Sequence, residues 1–558
     1  MIILSNVRGK SMDLVSNKIV IIIKSALKNV YNLENIDSLV MVEIPKLKDH
    51  GDFSSNIALR LAKVLKNSPI NIANSLKGEL ENNDFIEKVE VVVPGFLNFF
   101  VKKDSLSEII NKIIDQGKDY GRNNFGKNEK VMVEYVSANP TGDLHLGHAR
   151  GAAYGDSLTR VLKFSGYDCL REYYVNDAGN QIEVLGESLY QRYLEALGYE
   201  FDIDKIGYQG KDVKNIASKI AKDIKEKYVH DDSEDRKLYF KKVGRELELS
   251  KIKKDLDLYR VSFDHYQSEL DLYKDGKVKN TLEALKNSGF TYDLDGALWL
   301  RTTDFGDDKD RVLIKSDGSY TYLLPDIAYH KDKFDRGYEH LINLFGADHH
   351  GYIIRLKAGL KILGYNSDNL DIQIVQMVRL MENGVELKMS KRTGNAITIR
   401  ELCEDVGVDV ARYFFISKPI VSHLDFDLDL ARKHSSENPV YYIQYAYARC
   451  ASILRRVKEV KKLETYSLLT NDKEVSILKE LASFEQILVD ICKYKEVNIL
   501  CNYAYRLASL FHSYYNECKV IDETNSELTT ERLALVKAIK ITLENALNLL
   551  GIEVKEDM

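Results

Sequence analysis

Proline is scarce in this 558-residue chain, with seven in all, and glycine is held to 32, which argues against long disordered linkers. The six cysteines, at 169, 403, 450, 492, 501 and 518, form no CxxC and no paired spacing. A disulfide framework and a zinc site are therefore not expected, and the pattern is that of a reduced, cytoplasmic protein. Long apolar runs are also missing. Ile19 to Ile23 is bounded by Lys18 and Lys24, too short to span a bilayer, and no signal-peptide pattern is present. Charge of one sign is lacking as well: the formal net charge is -6, so nucleic acid is not expected to bind through bulk charge. Any RNA contact has to come from local basic faces. No low-complexity tract, internal repeat or carboxylate cluster resembling a metal cage is evident.

What is present is ordinary globular material, 44% hydrophobic and 29% charged, enough for two to four domains with proper cores. Residues 1–115 predict a small α+β domain, opening with a helix over 14–31 and closing on a strand over 89–93. From 116 to 430 apolar strands alternate with helical stretches, the pattern of a doubly wound parallel α/β sheet. A run dense in Lys, Glu and Asp interrupts it at about 195–275 and reads as a helical insertion. The sheet is expected to resume at 296–300, then 320–324, 341–345 and 372–376. From 431 to 558 apolar residues recur at helical spacing, predicting an all-α bundle of four or five helices.

The most informative stretch is 131–163. Residues 131–136 predict a buried strand, Asn139, Pro140 and Gly142 a turn, and Asp143 an N-cap. His145 and His148 fall three apart, so both rings project from one side of the first helical turn. That turn presents unpaired N–H groups and the positive end of the helix dipole, a ready site for phosphate. Gly147 removes a side chain where a flat ring could lie. Far downstream, Lys388-Met389-Ser390-Lys391-Arg392 lies between Gly384 and Gly394. By itself such a run is usually a solvated basic turn.

Together, His145-Leu146-Gly147-His148 and the lysine loop resemble the HIGH and KMSKS motifs of class I aminoacyl-tRNA synthetases. Ser137-Ala138-Asn139-Pro140-Thr141-Gly142 before the first motif and Ala149-Arg150-Gly151 after it resemble the arginyl-tRNA synthetases in particular. Asp143 departs from that family, which more often has proline there. The resemblance continues through Pro94-Gly95-Phe96-Leu97-Asn98 in an N-terminal domain that contacts the outer corner of tRNA, and through a helical anticodon-binding domain. It covers nearly the whole chain.

The resemblance implies a Rossmann-type catalytic domain that activates L-arginine with ATP, carried as its Mg2+ complex, and passes it to tRNA(Arg), with no tightly bound cofactor or zinc. A monomer is expected, with no membrane partner. His145, His148, Lys388 and Lys391 would be catalytic, and Thr141, Gly142, Gly147 and Ser390 would join them around ATP. Activation needs alignment and positive potential, not a base, because the attacking carboxylate is already charged. The base for the transfer step stays unassigned.

Glu134 sits in a strand otherwise built of Val, Met and Tyr, and a buried carboxylate requires a cation. A substrate guanidinium and an internal protein arginine both satisfy that requirement. The family uses residues matching Glu134, Tyr322 and Asp326 around the arginine side chain, and Asn139 on the α-amino group. Ser137, Asp348 and His350, the last two in a GADHHG segment, are expected in the same pocket. In the bundle, 438–449 carries an aromatic stripe beside Arg455, Arg456, Lys458, Lys461 and Lys462. Such a stripe is usually core, yet next to a basic face it also suits single-stranded bases. Tyr442, Tyr445, Arg449 and Met558 are the candidate tRNA contacts. A synthetase for another amino acid, a nucleotidyltransferase sharing the HxGH helix, and an RNA-binding regulator remain the alternatives.

Overall fold

The computed structural model describes residues 14–33, 39–43, 45, 50–83, 85–387 and 397–558, except the side chains of 14–17, 103–105, 211 and 348–350. The chain forms two compact units. One joins 1–123 to 435–549 and 553–558, and the other joins 124–434 to 550–552.

The first unit opens with helix α1 (Leu14–Tyr31), as the periodicity predicts. Helices α1, α2 (Ile57–Leu65) and α3 (Pro69–Glu81) accompany an antiparallel sheet of order β1-β2-β4-β3. Its strands are β1 (Val42–Glu43), β2 (Phe53–Ser55), β3 (Ile86–Val92) and β4 (Phe96–Val101). Local chemistry sets the start of α3: Ser68 Oγ accepts the Asn71 N–H, and Pro69 takes the first helical position, where no N–H is needed. Helix α4 (Lys103–Gln116) follows.

The second unit is organised on a five-stranded parallel sheet of order β12-β11-β5-β6-β7. Strand β5 (Lys130–Glu134) leads through α5 (Leu146–Phe164) to β6 (Asp168–Val175). Helices α6 (Asn180–Leu197), α7 (Lys211–Ile224) and α8 (Glu234–Leu258) form a subsidiary core around Leu185, Leu189, Tyr193, Val213, Ala217 and Phe240. The charged stretch is therefore helical as expected, but it ends earlier. β7 (His265–Ser268) returns to the sheet beside β6, and α9 (Glu269–Lys274) and α10 (Lys277–Asn287) follow.

Two expected strands behave differently. β8 (Thr291–Leu294), β9 (Ala297–Leu300) and β10 (Arg311–Ile314) make a separate antiparallel sheet and do not extend the parallel one. Tyr320 forms only an isolated bridge to Ile314, and Leu323 already opens α11 (Leu323–Asp335). The run Tyr322-Leu323-Leu324 is apolar enough for a strand, but its leucines are the buried face of that helix, which short runs cannot reveal. β11 (His340–Gly346), α12 (Ile353–Ile362) and β12 (Leu370–Val375) complete the sheet. Met132, Leu324, Ile327, Leu341, Leu356, Leu360 and Leu370 pack one of its cores.

β13 (Val378–Glu382), β14 (Val385–Glu386), α13 (Ile399–Val406), α14 (Val408–Ile416), β15 (Leu424–Asp427) and α15 (Leu428–Ala431) close the unit. The bundle then comprises α16 (Pro439–Leu454), α17 (Asp472–Ala482), α18 (Phe484–Tyr494), α19 (Asn498–Glu517) and α20 (Ser526–Leu550). It shares a unit with the N-terminal part: Asn111 Nδ2 donates to the Leu463 carbonyl at 2.8 Å, and the Tyr466 hydroxyl to Asn111 Oδ1 at 2.7 Å. Among the described residues, no helix is long and apolar enough to cross a membrane.

Candidate active site

Strand β5 is the point where the sheet reverses direction of growth, with β6 and β7 on one side and β11 and β12 on the other. Ligands of open parallel sheets gather at the carboxyl ends of strands at such a switch point. Glu134 is the last residue of β5. After it the backbone makes a tight turn, with Val136 at φ 68° and Ser137 at φ 39°. A left-handed β-branched residue is costly, of order 1–3 kcal/mol, and such strain concentrates at functional sites. The turn lets Ser137 Oγ donate to Glu134 Oε1 at 3.0 Å and accept the Tyr174 N–H at 3.1 Å.

The chain then enters α5, whose N-cap is His145, not Asp143. Gly147 N–H donates to His145 Nδ1 at 3.1 Å, and His145 N–H donates to His148 Nδ1 at 3.3 Å. An acceptor at Nδ1 puts the ring proton of a neutral imidazole on Nε2. The rings stack with centroids 3.7 Å apart. Small residues let α5 sit deep: a Cβ on Gly155 would lie 2.3 Å from the Tyr135 ring. At Gly147 it would lie 3.0 Å from His145 Cε1, so this glycine sets the ring's position. Thr141 N–H bonds the Asn139 carbonyl at 2.8 Å, and a Cβ on Gly142 would lie 3.9 Å from Asp212 Oδ2.

Lys388, Ser390 and Lys391 lie outside the described residues. The described chain resumes at residue 397. Thr398 forms an antiparallel bridge with His145, and Ile399 N–H donates to the Leu144 carbonyl at 2.9 Å. Thr398 also caps α13 in a reciprocal box with Glu401. Further along α5 the fully buried Arg150 donates to the carbonyls of Gln376, Ser422 and Pro419 at 2.7–2.9 Å, and burial lowers its pKa to about 10. The helix that carries the histidines is thus fastened to backbone on both sides of the lysine segment.

Glu134 is 4% exposed, and its partner is a lysine, not an arginine. Lys333 Nζ, fully buried on α11, lies 2.5 Å from Glu134 Oε2. Asn343 Nδ2 donates to the same oxygen at 3.0 Å. Asp326 heads the same helix, and its Oδ2 accepts the Tyr352 hydroxyl at 2.5 Å. Tyr174 lies within electrostatic reach of Glu269, Asp326 and Glu134. Its phenol is held far above the usual range, first by burial and then by those carboxylates. Glu172, beside Glu134 in register, is by contrast taken up by His265 and Arg336; despite burial these bonds bring it down to about 2.

The other candidates scatter more. Asn139 donates to Gln181 at 2.7 Å, and Tyr322 stands 73% exposed at the start of α11. Asp348 and His350 fall in the turn after β11, at a strand's carboxyl end, with side chains outside the described set. Sequence reasoning missed Lys333, His330, Asn343 and Tyr352. A signal existed for two of them: Asp326, His330 and Lys333 fall at i, i+4 and i+7, a polar stripe on a helix buried nearly all round.

In the first unit Tyr445 is 42% exposed, and Arg449 lies over its ring at 4.5 Å and over that of Tyr515 at 4.4 Å. Tyr442 packs against the tilted rings of Tyr505 and His512, with centroids 5.1 and 4.5 Å away, and Met558 is exposed. Tyr505 and Tyr515 extend the stripe from α19, which no local pattern in 438–449 announces. Part of the adjacent basic run is spent internally, since Arg455 pairs with Asp557 and Lys462 with Asp115.

Comparison with known proteins agrees along most of the length. Models of the arginyl tRNA synthetase N-terminal domain, the class I (R) tRNA synthetase catalytic domain and the DALR anticodon binding domain match residues 17–101, 109–415 and 443–558. Arginine--tRNA ligase 1 of Halalkalibacterium halodurans is 51% identical over 93% of this chain and 94% of its own. The Bacillus subtilis arginine--tRNA ligase is 49% identical over the same shares. The Thermus thermophilus arginyl-tRNA synthetase structure has the same fold, with a TM-score of 0.75 at 22% identity over 97% of this chain and all of that one. With the switch-point carboxylate, the paired histidines and these matches in view, the chain belongs to the arginyl-tRNA synthetases, class I aminoacyl-tRNA ligases.

Proposed function

We infer that this protein is an arginine--tRNA ligase, forming arginyl-adenylate and pyrophosphate from L-arginine and ATP and then esterifying the terminal adenosine of tRNA(Arg) with release of AMP. The observation that carries the site reading is the bridge between His145 and Thr398, which brings the downstream end of the lysine loop against the first histidine. His145 and His148 stand at the N-terminus of α5, where helix N–H groups and imidazoles together suit ATP phosphates, with Thr141, Gly142 and Gly147 alongside. Lys388, Ser390 and Lys391 reach the same phosphates from the loop, so that positive charge meets the oxygens as the α-phosphate is attacked. Mg2+ arrives with ATP as part of that substrate.

Glu134 and Asp326 accept the guanidinium, Tyr322 closes over it, Ser137 steadies Glu134, and Asn139 takes the α-amino group. Asp348 and His350 form a wall of the same pocket. Residues 1–115 position the outer corner of tRNA, 116–430 perform the chemistry, and 431–558 read the anticodon through Tyr442, Tyr445, Arg449 and Met558. The protein works as a monomer in the cytoplasm, where six buried cysteines outside any disulfide stay reduced.

Purified protein with ATP and tRNA(Arg), offered each of the twenty amino acids, is expected to charge arginine alone. Charging with another amino acid overturns the specificity, and no charging at all favours an RNA-binding regulator. His148→Ala should lower kcat by about 100-fold with little change in melting temperature. A collapsed fold in that variant would make the histidine structural.

A further inference from the structure

The carboxylate proposed for the substrate guanidinium already has partners within the protein. Lys333 and Asn343 both donate to Glu134 Oε2, and Ser137 donates to Oε1. A carboxylate oxygen has two acceptor positions, so Oε2 is saturated and a single position remains on Oε1. Lys333 is itself fixed. Its ammonium also bonds Asn343 Oδ1 at 3.3 Å and lies 4.1 Å from the centre of the Tyr329 ring. Asn343 Nδ2 in turn donates to His330 Nε2 at 2.8 Å, and His330 Nδ1–H to the Asp326 carbonyl at 2.8 Å. Burial and the nearby Lys333 hold that imidazole neutral, well below its ordinary pKa. One hydrogen-bond chain therefore runs from Ser137 through Glu134, Asn343 and His330 to the backbone of Asp326.

We propose that Lys333 is a specificity-determining positioning residue, which pins Glu134 so that a planar guanidinium is accepted at Oε1 while a compact ammonium is rejected. The proposal rests on the reading that Glu134 and Asp326 hold the arginine side chain. A guanidinium spreads its charge and can give one N–H to Oε1 while directing others toward Asp326. The ammonium of lysine or ornithine needs three acceptors close together, finds one on Glu134, and concentrates its charge near that of Lys333. Without Lys333, Oε2 would be open and the local field more negative, which suits an ammonium. Two carboxylates alone would attract either cation. The buried lysine supplies the difference.

The test compares wild type, Lys333→Met, Glu134→Gln and the double variant in the full chain. The readouts are steady-state charging of tRNA(Arg), KM for arginine and for ATP, and inhibition constants of lysine and ornithine against arginine. Lys333→Met is expected to raise the arginine KM about tenfold or more, leave the ATP KM within about twofold, and tighten lysine and ornithine relative to arginine by about tenfold. Should Lys333→Met unfold for want of a partner to Glu134, the double variant removes both charges. It should fold and show the arginine-to-lysine preference reduced to the level of Glu134→Gln.

Equal loss of affinity for arginine and ATP, or an unchanged preference for arginine over lysine in every folded variant lacking Lys333, overturns the proposal. The underlying reading fails separately, if Glu134→Gln leaves the arginine KM untouched.

Discussion

At the scale of single residues, the site depends on who occupies each acceptor. His145 and His148 each accept a backbone N–H at Nδ1, which fixes their proton at Nε2 and their rings in a stack. Gly147 holds that arrangement by having no side chain: a methyl group would press on His145 Cε1 at 3.0 Å. Gly147→Ala is therefore expected to turn the ring and cut kcat by about tenfold or more, measured in arginine-dependent charging, while the arginine KM stays nearly unchanged. An unaltered kcat would mean that the ring position is immaterial. The histidines and Glu134 were legible from residue type and spacing, because a histidine at a helix start and a carboxylate in an apolar strand each demand an explanation. Glu134's lysine partner was not, since the two are 199 positions apart and meet only when α11 packs on β5 and β11.

At the scale of elements, α5 and α8 are anchored by buried charge. Arg150 holds α5 to three backbone carbonyls. Arg150→Met leaves all three without that donor and should cost about 3–5 kcal/mol, read as a lowered denaturation midpoint of the purified protein. Lys251, on α8, reaches Asp143 ahead of the histidines, Asp212 on α7 and the fully buried Glu248, at 2.8–3.0 Å. Burial, only partly offset by Lys251, raises Glu248 from 4.5 to about 7. A carboxyl whose folded pKa exceeds its unfolded one stabilises the fold while protonated. That contribution is complete below pH 4.5 and lost as pH rises through about 7, amounting to up to about 3 kcal/mol. Between pH 5 and 7.5, wild type should lose stability relative to Glu248→Gln; parallel curves would contradict the assignment. Lys251 and Glu248 lie in a stretch that reads as charged helix, and Arg150 in one read for its family motif; neither reading names the partners, which are chosen by packing and not by local sequence.

For the molecule as a whole, the chain folds as two compact units. The second holds the switch-point sheet, and residues 550–552 belong to it: the buried Arg412 donates to the Leu550 carbonyl at 2.9 Å while pairing with Asp156. The first carries the exposed tyrosines around Arg449. Aromatic rings beside a guanidinium are suited to stacking bases. Arg449→Ala combined with Tyr445→Ala should therefore raise the KM for tRNA(Arg) by about tenfold and leave the KM for ATP and for arginine unchanged. A parallel rise in all three would mean that the cluster supports the fold and not the RNA. The N-terminal part and the helical bundle share this unit, which no linear reading of 1–115 or 431–558 could have foretold, since Asn111 and Tyr466 lie 355 positions apart.

By itself the sequence determined the α/β alternation, the helical end of the chain, the two signature motifs and thereby the family. Periodicity, capping residues and short motifs are local properties, written wherever the chain is read. Only the tertiary structure decided that 297–300 leaves the parallel sheet, that Leu323 belongs to a helix, that Thr398 meets His145, and that Lys333 stands behind Glu134. Those outcomes follow from competition for buried space and for hydrogen-bond partners among segments remote in the chain, which is settled when the units pack.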